Sequence, residues 1–346
     1  MKAAVLYGQK DIRYEDAVLP QIEDDEVLVR VKVTGICGSD MPRVLGEGAH
    51  YYPIILGHEF SGEVVKIGEK VEGVSVGDRV SGAPLVPCHE CVDCSKGHYS
   101  QCKNYSFIGS RRSGSWAEYV KMPAVNAVKL PDGVGFVEGA FMEPLTVALH
   151  GLFLMDFYGG FDVAVIGMGN IGLLTLQCAR ALGAKHVFAF DIDEEKLNIA
   201  EEYGAHVCIN TGEPGFKDKV WELTNGRGFE MVVETAGVEF TEKLSLELAA
   251  NKGNVMYIGT PSKPISLKPR EFENLNRKEL TVRGSWMSYS APFPGSEWEL
   301  AGYYLQNKQV KVDKLIDRII PMKDIAEVFK DLEVPGKVKG KILLEA

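Results

Sequence analysis

The chain has 346 residues, of which 45% are hydrophobic and 25% charged, a composition typical of a globular protein and long enough for two domains. Its formal net charge of −10 is unfavourable for binding nucleic acid or an anionic membrane, so we expect neither as a partner. No stretch reaches the roughly 18 apolar residues of a membrane helix, and no apolar signal segment follows Met1, so we expect a cytoplasmic protein.

Short strand patterns separated by glycine and proline occupy the first part of the chain. Residues 26–33 alternate apolar and polar side chains, and residues 62–68 form a second such run. An apolar strand pattern at 162–166, a glycine-rich turn and a helical pattern at 171–182 open a different region. Strand and helix patterns then alternate at 186–192, 194–203, 207–210, 216–224, 231–234, 241–250, 255–259 and 280–284.

Alternation of this kind predicts a doubly wound parallel sheet covered by helices on both faces, which is the Rossmann architecture. Two further helix patterns and a last strand pattern lie at 297–307, 323–332 and 341–344. They indicate a return to the first region. We therefore predict an α/β protein with a dinucleotide-binding Rossmann domain at 154–287 and a mostly β catalytic domain formed by residues 1–153 and 288–346.

Four cysteines follow the pattern C-x2-C-x2-C-x7-C, which predicts a structural zinc site. The short loops turn consecutive thiolates toward a common centre. Because four sulfur ligands leave no position for a substrate, we expect this zinc to stabilise a lobe at 84–105 and any catalytic metal to lie elsewhere. The four ligands are Cys88, Cys91, Cys94 and Cys102.

The turn after residues 162–166 has the pattern G-x-G-x-x-G, which in this strand–turn–helix context predicts a dinucleotide site. Its glycines let the backbone approach a pyrophosphate, and N–H groups at the helix start bind the phosphate oxygens. Asp191 ends the second strand, where a carboxylate accepts hydrogen bonds from a ribose diol. The acids after it disfavour the 2′-phosphate of NADP, so we predict NAD. The predicted cofactor residues are Gly167, Gly169, Asn170, Ile171, Gly172, Asp191, Lys196, Gly237 and Gly259; Lys196 is alternatively a solvated helix lysine, and the last two are alternatively plain turn glycines.

A second metal site is predicted around Cys37, His58 and Glu59. Each lies near a glycine that allows a close turn, and a thiolate, an imidazole and a carboxylate are suitable zinc ligands. Glu143 is a carboxylate in an apolar stretch, where burial without a partner would be costly. Three protein ligands and one open position characterise a catalytic zinc. Ser39 is either the first proton relay, with Glu59 or a bound water as the alternative relay, or a cap of the helix that begins there.

Together these motifs resemble the zinc-containing medium-chain alcohol and polyol dehydrogenases. The matching segments are Gly-x-Cys-Gly-Ser-Asp at 35–40, Gly-His-Glu at 57–59, Val-Gly-Asp-Arg-Val at 76–80, the four-cysteine lobe and the glycine-rich turn. The resemblance implies a GroES-like catalytic domain, hydride transfer from an alcohol to NAD, two Zn2+ per chain, and a homodimer or homotetramer.

The resemblance also implies roles for single residues. Cys37, His58 and Glu143 correspond to catalytic zinc ligands, with Glu59 joining them or exchanging with a water or substrate oxygen. A histidine that is common shortly after the cysteine segment is absent, because Met41-Pro42-Arg43 stands there. A proton path through that histidine is therefore not expected.

Three strings, at 48–53, 107–112 and 284–290, resemble the branch of this family that oxidises galactitol 1-phosphate to tagatose 6-phosphate. A phosphate needs fixed cations, and Arg111 and Arg112 offer adjacent guanidinium groups. Since adjacent side chains diverge, we expect only one of them to face the site. Arg43 and His50 compete for the same role, and Trp286 is a candidate wall of the pocket.

Two other functions remain open at this point. Within the same class, the substrate is alternatively an unphosphorylated polyol, as for sorbitol dehydrogenase, or L-threonine. From a different class, the chain is alternatively a non-catalytic scaffold that binds zinc and a nucleotide, although intact Cys37, His58 and Glu143 argue against this.

Overall fold

The computed structural model of the chain describes residues 1–346 and contains eighteen strands and eleven α-helices. The strands are β1 (Lys2–Gly8), β2 (Asp11–Asp16), β3 (Glu26–Gly35), β4 (Ile54–Ile55), β5 (Glu59–Ile67), β6 (Arg79–Gly82), β7 (Leu85–Val86), β8 (Ser106–Phe107), β9 (Tyr119–Pro123), β10 (Ala127–Lys129), β11 (Asp162–Ile166), β12 (His186–Asp191), β13 (Val207–Asn210), β14 (Phe229–Glu234), β15 (Ala249–Tyr257), β16 (Thr281–Gly284), β17 (Ile316–Pro321) and β18 (Lys341–Glu345).

The helices alternate with strands mainly in the second half of the chain. They are α1 (Met41–Leu45), α2 (Val92–Ser95), α3 (Phe136–Ala140), α4 (Met142–Leu154), α5 (Asn170–Ala181), α6 (Glu194–Glu202), α7 (Phe216–Leu223), α8 (Glu239–Leu248), α9 (Pro269–Arg277), α10 (Ser296–Gln306) and α11 (Ile325–Leu332). None of them combines the length and the apolar character that crossing a membrane would require.

The residues divide into two compact units. The first consists of Met1–Glu143, Tyr289–Asn307 and Val312–Ala346, and the second of Pro144–Ser288 and Lys308–Lys311. This division does not test the limits predicted for the domains, 153/154 and 287/288, which stay predictions.

The first unit is built around a seven-stranded sheet with the order β10-β6-β5-β3-β18-β17, in which β9 also pairs with β3. In the antiparallel pair of β3 and β5, Gly35 lies opposite Glu59. On the other side of β3, the last strand β18 places Leu343 opposite the same Gly35. Three distant segments therefore meet where β3 ends.

Two apolar clusters hold the first unit together. One lies on the large sheet and includes Val29, Phe60 and Val80. The other joins the small sheet β2-β1-β4 to α11 through residues such as Trp116 and Phe329, whose ring centroids are 5.6 Å apart.

The second unit contains a six-stranded parallel sheet with the order β13-β12-β11-β14-β15-β16. This is the 3-2-1-4-5-6 order of a Rossmann fold, in which a ligand binds beyond the carboxyl ends of the strands. The middle strands are almost continuously buried, which explains why their sequences are apolar rather than alternating. The predicted Rossmann sheet is confirmed.

Candidate active site

The strand register brings Cys37 and His58 together. Cys37 lies two residues beyond the end of β3, and His58 lies one residue before the start of β5. Because β3 and β5 are paired, the two residues come close together. The Cys37 sulfur, a His58 ring nitrogen and a Glu59 carboxylate oxygen lie within 4.8 Å of one another. These three residues form the Cys37 group, and its members are the sulfur, nitrogen and oxygen donors that zinc accepts.

Two glycines make this close approach feasible. A Cβ atom on Gly35 would lie 2.4 Å from Glu59 Oε2. Gly57 has a φ of +92°, and a Cβ atom there would lie 2.3 Å from Trp116 Cδ1. Only glycine both adopts this positive φ and leaves room for Trp116, so Gly57 allows the chain to place His58 here.

Asp40 lies behind His58, and the sequence analysis assigned it no role. Its carboxylate is fully buried, accepts a hydrogen bond from the Cys37 backbone N at 3.1 Å, and lies 3.7 Å from His58 Nδ1. Burial raises the pKa of Asp40, and the charges of His58 and Arg43 oppose that rise. At this distance His58 Nδ1 has no hydrogen-bond partner, so Asp40 acts on the ring through its charge, on the side where a metal-binding histidine usually has a carboxylate.

Glu59 has a second partner that the sequence analysis also missed. Both of its carboxylate oxygens lie 2.6 Å from Lys341 Nζ, and both side chains are almost completely buried. Burial alone would lower the pKa of Lys341, but the charges of Glu59 and Cys37 outweigh it and the pKa is raised. Lys341 therefore contacts both Glu59 oxygens and competes with a metal for them.

Glu143 is the second residue of α4 and is not a member of the Cys37 group. Although the residue keeps some solvent contact, desolvation raises the pKa of its carboxyl group to about 7, and His58 opposes the rise. Burial also raises the pKa of the Cys37 thiol well above its ordinary value. Donors whose ionised forms are disfavoured in this way fit a site that a divalent cation completes, since the cation restores their charge.

Ser39 does not act as a helix cap. It lies exposed inside a single 3-10 turn, Gly38–Asp40, and Asp40 rather than Ser39 accepts the hydrogen bond from the first backbone N–H. The Ser39 hydroxyl instead accepts a hydrogen bond from Arg43 Nη1 at 3.0 Å. Of the two interpretations of Ser39, the capping one is therefore wrong.

The four lobe cysteines also come together. Their sulfur atoms lie within 4.8 Å of one another, with Cys88 Sγ 3.4 Å from Cys102 Sγ and 4.0 Å from Cys94 Sγ. A tetrahedral zinc with bonds of about 2.3 Å would space its sulfurs by about 3.8 Å, whereas a disulfide needs about 2.05 Å. Backbone N–H groups of Cys94 and Lys103 lower the pKa of Cys91 to about 6, which favours the thiolate. The cluster fits a structural zinc site.

The glycine-rich turn of the second unit has the conformation that the sequence analysis required. Gly167 has a φ of +93°, and a Cβ atom on Gly172 would lie 1.7 Å from Gly167 O. Helix α5 starts at Asn170 after Gly169, with no side chain capping its first N–H groups. Ile171 lies in the same first turn, so this helix start is suited to bind a phosphate.

Asp191 ends β12 and reaches back to this turn. Its Oδ2 accepts a hydrogen bond from Met168 N at 2.6 Å, and its Oδ1 accepts two from Ile192 N and Asp193 N at 2.8 and 2.9 Å. Lys196 is half-buried in α6, the helix that follows.

The ends of β14 and β15 meet beside the same turn. A Cβ atom on Gly259 would lie 2.3 Å from the N atom of Gly237, whose φ is +65°. Glu234 was not predicted from the sequence. It fixes the loop after β14, because its Oε1 accepts hydrogen bonds from Ala236 N, Gly237 N and Thr241 Oγ1 at 2.7 to 2.9 Å. Burial raises the pKa of Glu234.

The candidate phosphate residues separate into two sets. Arg111 is exposed, and its Cζ lies 4.4 Å from the ring centroid of Tyr105. The pKa of His50 is lowered by burial and, to a smaller extent, by the charges of Arg111 and Arg43. Arg43 and Arg111 therefore both act electrostatically on His50, and we call these three residues the basic cluster. Arg112 instead donates to Glu26 Oε1 at 2.6 Å.

Two aromatic residues occupy different environments. Trp286 belongs to the second unit, and its side chain is 55% exposed. Tyr289 is a buried residue of the first unit that stacks on Phe293 and accepts a hydrogen bond from Leu85 N.

Comparison with known proteins identifies the family. The model of the alcohol dehydrogenase GroES-like domain matches residues 23–132, and the zinc-binding dehydrogenase model matches residues 170–301. Galactitol 1-phosphate 5-dehydrogenase of Escherichia coli (strain K12) is 42% identical over 98% of this chain and 99% of that protein. The chain belongs to the zinc-dependent medium-chain alcohol dehydrogenase family. The predicted family resemblance and the GroES-like and Rossmann fold class are thereby confirmed.

Other members of this family are also similar to the chain. The crystal structure of galactitol-1-phosphate dehydrogenase from Escherichia coli aligns with a TM-score of 0.96 and 41% identity, covering 100% of both chains. L-threonine 3-dehydrogenase of Pseudoalteromonas atlantica is 32% identical over 81% of this chain and 83% of that protein. As a family member the chain is an oxidoreductase, and its relatives differ in the alcohol that they oxidise.

Proposed function

We propose that this dehydrogenase oxidises a secondary alcohol of galactitol 1-phosphate, giving tagatose 6-phosphate, with NAD as the hydride acceptor. The observation that carries the proposal is the basic cluster of Arg43, His50 and Arg111, which connects to the Cys37 group through the hydrogen bond from Arg43 to Asp40. The similarity to the Escherichia coli enzyme supports the same substrate.

The basic cluster suits a phosphate better than a neutral sugar. Arg43 Nε is buried and has no hydrogen-bond partner, and a phosphate oxygen would satisfy it. Arg111 lies flat on Tyr105, a contact that orients its planar fork. The positive charges that lower the pKa of His50 would be balanced by a dianion.

Arg112 is left out of this proposal. Its charge is matched by Glu26, which is 5% exposed and also binds Lys121 at 2.7 Å. Arg112 thus serves the buried carboxylate, and we assign the forked contact with phosphate to Arg111.

The reaction removes a hydride from carbon and a proton from the hydroxyl oxygen. A zinc ion held by Cys37, His58 and a carboxylate of Glu59 or Glu143 would supply a Lewis acid that lowers the pKa of the substrate hydroxyl. Ser39 is exposed beside these residues and acts as a proton relay in our proposal: its Oγ accepts the substrate proton as its own hydrogen passes to solvent water, while Arg43 donates a hydrogen bond to the same Oγ. Glu59, fixed by Lys341, is the alternative acceptor.

The acids around Asp191 favour NAD over NADP. The Asp191 carboxylate is held by three backbone N–H groups at the edge of the glycine-rich turn, where a ribose diol is expected to bind. Asp193, Glu194 and Glu195 follow directly. A 2′-phosphate would meet several negative charges there.

The deciding experiment measures kcat/KM with NAD for galactitol 1-phosphate, galactitol, sorbitol and L-threonine, with NADP as the cofactor control. We expect the phosphorylated polyol to be preferred by about a hundredfold, which corresponds to roughly 2.7 kcal/mol of transition-state binding. Arg111→Ala should remove most of that preference, whereas Arg277→Ala, a change at an exposed arginine of the second unit, should not. Equal rates with the free polyols or threonine would refute the phosphate assignment and leave the family activity in place.

A further inference from the structure

Arg43 contacts Ser39 and Asp40 and acts through its charge on His50. On one side, its Nη1 donates to Ser39 O at 2.6 Å, to Ser39 Oγ at 3.0 Å and to Asp40 Oδ1 at 3.3 Å. On the other, its charge acts on His50 together with that of Arg111. The side chain is only 19% exposed, so its position in α1 is fixed by these contacts.

Asp40 transmits the position of Arg43 to the Cys37 group. The same Oδ1 that accepts from Arg43 faces His58 Nδ1 at 3.7 Å, while Oδ2 holds the backbone N of Cys37 at 3.1 Å. The carboxylate has no exposure to solvent that would screen a change in its surroundings. A shift of the Arg43 guanidinium therefore moves the carboxylate charge that faces His58.

The Nε atom of Arg43 takes no part in these contacts, which all use Nη1. Nε is buried without a hydrogen-bond partner, which leaves a donor that an incoming anion can use. Because a guanidinium is planar and rigid, an anion bound at Nε also fixes the edge that holds Ser39 and Asp40.

We propose that Arg43 is a positioning residue that couples the substrate phosphate to the Cys37 group. It binds the phosphate and at the same time holds Asp40 behind His58. The inference rests on the proposed phosphate substrate, and it adds that the phosphate increases turnover rather than affinity alone, since remote binding energy is used to order the reacting centre.

Zinc retention tests the coupling without relying on activity. The zinc-loaded protein is mixed with a chromogenic chelator, and the release phase that is absent in His58→Ala is assigned to the Cys37 group. Inorganic phosphate should slow this phase severalfold in the parent protein compared with sodium chloride of equal ionic strength. Arg43→Ala should release the same zinc about tenfold faster and show no response to phosphate.

Two further variants separate coupling from simple charge. Arg43→Lys keeps a cation but cannot donate to Ser39, Asp40 and an anion together, so it should also lose the phosphate response. Arg111→Ala should weaken the affinity for phosphate, so that a higher phosphate concentration is needed to slow zinc release.

Turnover of free galactitol provides the second readout. Added inorganic phosphate should raise kcat in the parent protein about tenfold, and in Arg43→Ala it should have no effect. Zinc release from Arg43→Ala at the parent rate, or a phosphate response retained by that variant, would overturn the coupling. If the parent oxidises no polyol with NAD, the proposed function fails, and the zinc-release comparison still decides whether Arg43 positions the Cys37 group.

Discussion

Replacing Lys341 by methionine should destabilise the first unit strongly. The change removes the cation that contacts both Glu59 oxygens at 2.6 Å and leaves the carboxylate among residues with almost no solvent contact. Methionine is similar in length and apolar, so the loss of charge dominates over the loss of packing.

The magnitude follows from the geometry of the pair. Charge centres about 3 Å apart attract by roughly 5 kcal/mol at an effective dielectric constant of about 20. Breaking one side of a buried ion pair typically costs about 3–5 kcal/mol, because the remaining charge stays buried. For a unit of about 200 residues, this corresponds to a fall in Tm of about 6 to 20 °C.

Differential scanning calorimetry of four proteins measures the effect: the parent, Lys341→Met, Glu59→Gln and the double variant. The double variant should melt above Lys341→Met, because it leaves no buried charge without a partner. Lys341→Arg, which keeps the cation, is the matched control. Added zinc should recover part of the loss in Lys341→Met, since the freed carboxylate lies within 4.8 Å of the Cys37 and His58 donors. A Lys341→Met protein that melts within about 2 °C of the parent would refute the reasoning.

Three other changes test separate parts of the structure. Cys91→Ala should lower bound zinc from two ions per chain to one, measured by atomic emission, and should expose the lobe to limited proteolysis; unchanged zinc would contradict a four-sulfur site. Glu234→Ala should weaken NADH binding at least tenfold, measured by fluorescence titration. Glu234→Gln keeps the Oε1 acceptor for Gly237 N, so its affinity for NADH should stay near that of the parent. Equal losses in the two variants would show that this hydrogen bond does not support NADH binding. Gly57→Ala should lower the free energy of unfolding by about 2–4 kcal/mol and reduce the zinc content, because the residue has a φ of +92° and its Cβ would clash with Trp116. A variant as stable as the parent would contradict this steric argument.

The sequence predicted the first strands of the second unit closely because β11 and β12 are buried over most of their length. The observed β11, β12 and β13 begin and end within one residue of the predicted strands. In contrast, β17 was not predicted. Its sequence places Asp317 and Arg318 inside the strand, and it pairs only with β18 at the edge of its sheet, so its apolar pattern is weak.

The metal-binding residues were predictable for a different reason. Cys37, His58 and the lobe cysteines stand in short motifs whose chemistry is local. Lys341 carries no such signal: it opens an ordinary strand pattern 282 positions away from Glu59. Only the pairing of β18 with β3 brings it to the carboxylate, and that register cannot be derived from either segment alone.

The two adjacent arginines show how a distant carboxylate decides between chemically equal candidates. The sequence analysis expected one of Arg111 and Arg112 to face the substrate, and nothing local distinguishes them. Burial acts to raise the pKa of Glu26, but hydrogen bonds from Lys121 and Arg112 lower it overall, so this carboxylate keeps its charge and holds Arg112. A forked contact with phosphate needs a guanidinium group that is not already held by a carboxylate. Arg111, whose only specific contact is a neutral ring, meets that condition, and so the position of Glu26 in β3 determines which arginine remains available for a substrate.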